Sequence, residues 1–125
     1  MTLLYVALGG AIGSVMRYLA MSFIGHTLGN DFPYSTLIVN VSGSLVMGVL
    51  IGWLAGVLPE NAANIRLFVA VGVLGGYTTF STFSLDAITL MEEGKVLYMA
   101  AYILFSVILS LGGLIVGLYL MRALS

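Results

Sequence analysis

The residues best suited to chemistry lie in one run, Gly72-Val-Leu-Gly75-Gly76-Tyr77-Thr78-Thr79-Phe80-Ser81-Thr82-Phe83-Ser84-Leu85-Asp86. Six side chains between Tyr77 and Ser84 carry a hydroxyl. Phe80 and Phe83, three apart, share a face of a helix. Elsewhere, Asn40 interrupts an apolar run, and an amide there needs partners. Tyr102, Ser106 and Ser110, four apart, stand on one stripe of a helix. Asn40 and the hydroxyls, Thr79, Ser81 and Ser84 among them, can all donate a hydrogen bond. As the wall of a polar track they suit a small anion. Other chemistries are excluded. The chain has no cysteine and one histidine, so it offers no disulfide, thiolate site, thiol nucleophile or histidine-based metal cluster. Nothing in it points to an enzyme of the common hydrolytic types.

These groups must be positioned by elements of a lipid-soluble protein. Of 125 residues, 61% are hydrophobic and 7% charged, with a mean hydropathy of +1.15. Soluble domains carry about 25% charged residues. The net charge of -1 provides no basic patch for nucleic acid and no polybasic membrane anchor. Spanning a hydrocarbon core of about 30 Å takes roughly 20 apolar residues. Four stretches qualify: about Leu3 to Ile24, Pro33 to Leu58, Ala62 to Leu90, and Val96 to Ala123. The first lacks the basic n-region of a signal peptide and is too long for its apolar core. The expectation is an all-α integral membrane protein, one four-helix domain over residues 1–125, with consecutive helices antiparallel and both termini on one side. Tyr5, Tyr34, Trp53, Tyr98 and Tyr119 fall toward span ends, as an interfacial aromatic belt does.

The hydroxyl run lies at mid-span, where Gly75-Gly76 followed by Thr78-Thr79 makes poor helix. A break at Gly75–Thr79 is expected, at a depth where irregular backbone survives only inside protein or along a cavity. Its freed carbonyls suit a small cation and its N–H groups an anion. The plainer alternative is a kinked helix whose hydroxyls bond back to their own carbonyls. Small residues recur at spacings of four: Gly9 and Gly13; Ser44, Gly48, Gly52 and Gly56; Gly113 and Gly117. Such stripes let helices approach closely. A tight bundle leaves little interior room, so an ion pathway is better placed where two copies meet. Arg17, the only basic residue well inside a span, either builds an electropositive vestibule or snorkels toward the loop at Gly25–Phe32. His26 reads as a loop residue, and Asp86 has no evident partner.

The sequence resembles the Fluc (CrcB) family of small bacterial fluoride channels over essentially its whole length. The resemblance rests on Gly9-Gly10-Ala-Ile-Gly13-Ser-Val-Met-Arg17-Tyr18, on Asn40-Val-Ser-Gly-Ser44, and on Gly75-Gly76-Tyr-Thr-Thr-Phe80-Ser-Thr-Phe83-Ser84. It implies an antiparallel, dual-topology homodimer in the bacterial inner membrane, with two fluoride pores between subunits. A structural sodium ion on the two-fold axis would be held by the carbonyls of Gly75 and Thr78. Phe80 and Phe83 correspond to the family's phenylalanine pair, Asn40 to its second-helix asparagine, and Tyr102, Ser106 and Ser110 to its polar track. Leu114 stands where relatives can continue that track with a hydroxyl.

The charges fit dual topology on their own. Arg66 and Arg122 lie on one side, Lys95 and Arg17 on the other, so 2 − 2 leaves no bias for the positive-inside rule. The competing reading is a dual-topology proton-coupled exporter of the small multidrug type. It needs an acid deep in a span, whereas the first two spans have none and Asp86 is near a helix end. An accessory subunit, the third reading, leaves the break without a purpose.

Overall fold

The structure is a computed structural model, and it describes residues 1–57 and 59–124. The expected end of the second span at Leu58 lies outside the described residues. Four rods run through the chain, each long and apolar enough to cross a membrane. The first is α1 (Thr2–Leu28) and the second α2 (Tyr34–Val57). The third begins as α3 (Ala62–Ile65), widens into a π-helical segment (Arg66–Leu74) and returns to one turn of α-helix, α4 (Gly75–Tyr77). After an interruption it resumes as α5 (Phe80–Glu92). The fourth is α6 (Val96–Leu124). The described residues contain no strand.

Two rod ends differ from expectation. The first helix continues to Leu28, so Gly25 and His26 are helical and the connection to α2 is shorter than Gly25–Phe32. The glycine that ends α1 is Gly29, whose φ of 80° suits a residue without Cβ and whose N–H reaches the Gly25 carbonyl at 2.9 Å. Likewise α5 passes Leu90 to Glu92 before Gly94 (φ 78°) closes it. There the Lys95 N–H bonds to the Leu90 carbonyl and the Gly94 N–H to Met91, the paired bonds of a Schellman cap.

Glycine packs the rods in two pairs. α2 lies along α6, and α1 lies along the π segment and α4. A methyl at Gly48 would overlap the Leu114 carbonyl, and one at Gly117 the Leu45 carbonyl. On the other pair, methyls at Gly9 and Gly13 would overlap the carbonyls of Phe68 and Val73. Backbones this close gain van der Waals contact that lipid cannot supply. Large apolar side chains such as Leu3, Phe23, Leu97 and Leu111 face outward, as hydrocarbon requires. The small polar set is left on one side of the packed rods, around the interruption in the third.

Candidate functional site

The interruption is narrower than the glycines implied, and it lies beside them. Gly75 and Gly76 are helical, while Thr78 (φ -83°, ψ 159°) and Thr79 (φ -150°, ψ 119°) are extended. Gly76 is small for another reason, since a methyl there would stand 2.6 Å from the Gly10 carbonyl of α1. The break is built by side chains. Asn40 of α2 accepts the Thr79 N–H at 2.8 Å through Oδ1 and donates Nδ2–H to the Thr79 carbonyl at 3.0 Å. One amide thus satisfies both backbone polar groups of the buried Thr79, as irregular backbone in lipid demands. Thr79 then caps α5, its Oγ1 accepting the Thr82 N–H at 3.1 Å.

Neighbouring bonds hold the same segment from two further sides. Tyr77 and Ser42 hydroxyls meet at 3.0 Å. The Thr78 hydroxyl returns to the Leu74 carbonyl at 3.0 Å, and Arg17 Nη1 approaches the Thr78 carbonyl at 3.5 Å. This corrects the snorkelling alternative for Arg17. The helix runs 11 residues beyond it to Leu28, about 16 Å at 1.5 Å per residue, and the guanidinium turns inward to the break.

Beside the break opens a cleft of about 380 Å³, lined by Asn40, Thr79, Phe80, Phe83, Ser106 and Ser110 together with Ser44, Thr78 and the apolar Val107 and Leu111. No charged side chain lines it. The rings of Phe80 and Phe83 stand 5.5 Å apart at 45°, and Phe80 is 78% exposed at the cleft's open side. The cleft also contains an orphan, because Ser106 Oγ is buried and has no hydrogen-bond partner among the described residues. A buried hydroxyl left unpaired is costly and calls for a ligand or water.

The remaining candidates are placed elsewhere. Tyr102 is fully buried behind Phe83, its ring 5.3 Å away, and its hydroxyl donates to Asp86 Oδ2 at 3.0 Å. The same oxygen accepts from Thr36 at 2.7 Å, which supplies the partners that the sequence left unassigned for Asp86. Asp86 also lines a smaller hollow of about 110 Å³ with Asn30, Asp31 and Glu93 at the loop end. Ser84 bonds back to the Phe80 carbonyl at 3.0 Å, as the kinked-helix alternative had it for that residue. Ser81 reaches Thr79 Oγ1 at 3.3 Å and does not line the cleft. Gly75 is exposed beside the break.

Three residues at or next to this site were missed as site residues: Thr36, Ser44 and Asp86. Thr36 and Ser44 lie one turn either side of Asn40, so the spacing of four was a signal. It is a polar stripe as well as a small-residue stripe.

Comparison with known proteins places the chain in a family. Residues 4–118 match the family described as CrcB-like protein, Camphor Resistance (CrcB). A relative from Rhodopseudomonas palustris, named fluoride-specific ion channel FluC, is 49% identical over 125 residues, covering 100% of both chains. A protein of the same name from Rhodospirillum centenum is 51% identical over 120 residues, covering 96% of this chain and 94% of its own. The one from Nitrobacter winogradskyi is 49% identical over 124 residues, covering 98% and 96%. These proteins are ion channels and not enzymes. With four apolar rods, a third rod interrupted by side-chain bonds and near-complete coverage by such relatives, the chain belongs to the CrcB family of multi-pass bacterial inner-membrane proteins.

Proposed function

We propose that the protein is a fluoride-selective channel that lets fluoride leave the cytoplasm passively and so confers fluoride resistance. The observation that carries this reading is the cleft: an uncharged wall that combines Asn40, Ser44, Ser106 and Ser110 with the rings of Phe80 and Phe83 and the apolar Val107 and Leu111, and in which the Ser106 hydroxyl has no partner among the described residues. Fluoride is small and holds its water tightly, so a pore must replace that shell. Ser106, Ser110 and the second N–H of the Asn40 amide supply donors; Phe80 and Phe83 supply the positive edges of their rings. A wall without a fixed cation binds weakly enough to release the ion. Export needs no pump. Hydrogen fluoride enters neutral and ionises inside, and the membrane potential contributes about 2.3 kcal/mol per charge per 100 mV.

The working form is an antiparallel, dual-topology homodimer with two pores between the subunits. In support, the cleft is open on one side of the single chain with Phe80 exposed there, and with Arg17 turned inward the flanking basic residues differ by only one, Arg66 and Arg122 against Lys95. A second copy would close that side.

The Gly75 and Thr78 carbonyls are the candidate holders of a structural sodium ion, which would supply a positive centre joining the subunits. The break suits them to it. In a regular helix the Gly75 carbonyl takes the Thr79 N–H and the Thr78 carbonyl takes the Thr82 N–H. Here Asn40 takes the first donor and Thr79 Oγ1 the second. Two neighbouring carbonyls thereby lose their regular helical donors.

Purified protein in liposomes, read with a fluoride electrode, tests the function. Fluoride efflux without a proton gradient, with chloride retained, is the expected result. Uptake of an organic cation driven by protons would instead favour an exporter, and equal release of chloride would remove the selectivity.

A further inference from the structure

Arg17 has a place that the donor-lined cleft does not explain. It is absent from the cleft wall, and its guanidinium approaches the carbonyl of Thr78 from α1. That carbonyl is one of the two candidate cation holders, so this inference rests on the sodium site proposed above. A carbonyl oxygen has two lone pairs, so it can accept from Arg17 and face a cation together. The two positive groups nevertheless share one oxygen and repel each other. In a symmetric dimer with one central ion, the repulsion is doubled, since each chain brings its own arginine. No carboxylate stands ready to offset it: Asp86, the only acid in the third span short of its last turn, is committed to Thr36 and Tyr102.

We infer that Arg17 is a positioning residue of the central cation site that lowers its affinity for sodium while leaving a net positive centre between the two anion paths. Its planar fork orients the Thr78 carbonyl, and its charge sets how tightly the ion is held. A neutral residue of similar reach would abolish the repulsion and tighten the site. Removing two unit charges from beside the ion lowers the half-saturating sodium concentration by about tenfold or more, tenfold being the bound set by full aqueous screening at about 6 Å.

The test is a sodium titration of thermal stability for the purified dimer, at constant ionic strength with N-methylglucamine replacing sodium. Wild-type protein is expected to gain stability with sodium. Arg17→Gln and Arg17→Met should reach half of that gain at about one-tenth of the sodium or less. Arg17→Lys, which keeps the charge, should stay within about twofold of wild type. An unchanged or higher midpoint in whichever neutral variant assembles overturns the inference, as does an Arg17→Lys midpoint lowered as far as tenfold. A wild-type dimer whose stability ignores sodium altogether overturns the sodium site itself, a separate failure.

Discussion

Asn40 is where the structure makes its sharpest demand. Among the described residues, its amide is the sole hydrogen-bond partner of both backbone groups of Thr79, with bonds of 2.8 and 3.0 Å. Asn40→Ala would remove both and leave an N–H and a carbonyl unpaired inside the membrane. Each unpaired group costs about 1–3 kcal/mol in proteins, while interhelical hydrogen bonds in membranes average about 0.6 and reach about 1.7 kcal/mol. Taken together, the built break should lose about 2–4 kcal/mol. At 1.4 kcal/mol per decade, the ratio of intact to collapsed breaks falls about 30- to 1,000-fold. Fluoride flux should fall strongly, since the cleft wall also loses the Asn40 amide. The glycine contacts of α1 with the π segment, and of α2 with α6, lie away from Asn40, so the rods should still pack. Asn40→Asp separates the two roles of the amide. It keeps an acceptor for the Thr79 N–H, loses the donor to the carbonyl and puts a negative charge on the cleft wall, so flux should again be nearly lost. The assay is fluoride efflux from liposomes, normalised to protein that elutes as a dimer. If Asn40→Ala retains more than about a third of wild-type flux, the break is held by something else and this reasoning fails.

Other outcomes follow from the same contacts. Phe80→Ile or Phe83→Ile keeps apolar volume but removes the ring edges, so flux should drop strongly while the dimer forms; normal flux from both would remove the rings from the pathway. Ser106→Ala should move stability and flux in opposite directions, gaining about 1 kcal/mol because an unpaired buried hydroxyl is gone, and losing roughly tenfold in flux. A destabilised Ser106→Ala would mean that the hydroxyl is paired. Tyr102→Phe deletes the 3.0 Å bond to Asp86 and should cost about 1 kcal/mol in a thermal or denaturant measurement, with Thr36 left as the carboxylate's remaining hydroxyl partner. Two or three lysines added at the C-terminus should bias insertion and abolish activity. Co-expression with a variant carrying extra lysines in the first or third loop should restore it, and restored activity from the C-terminal variant alone would rule out antiparallel pairing.

Much of the architecture was legible because lipid leaves few choices. Apolar runs of about 20 residues bounded by polar or proline-containing turns have no alternative to membrane helices. Glycine at spacings of four announced the packing of Gly9, Gly13, Gly48 and Gly117 for the same reason, since only a residue without Cβ lets backbones meet. Boundaries were less legible. His26 and Gly25 have loop-like composition yet are helical, because a helix ends where a glycine takes a positive φ, and here that is Gly29.

The break shows how a correct expectation can be too wide. Gly75-Gly76 and Thr78-Thr79 together were read as the weak point from their low helix propensity. In the fold the two glycines are helical, and Gly76 is small because it lies against Gly10. What interrupts the rod is a pair of threonines whose backbone is taken by Asn40, a residue on another helix. Propensity is local, whereas a break inside a membrane depends on a remote partner able to satisfy the freed groups. The same remoteness hid Thr36 and Asp86, which lie 50 positions apart and meet only when α2 packs beside α5. It also explains Arg17. Its position in the sequence allowed a route to water, but the length of α1 beyond it closes that route and leaves the break as the nearest place for its charge. An isolated polar residue in a membrane span is therefore best read by asking which distant backbone lacks a partner, and in this chain the answer for both Asn40 and Arg17 is Thr78-Thr79.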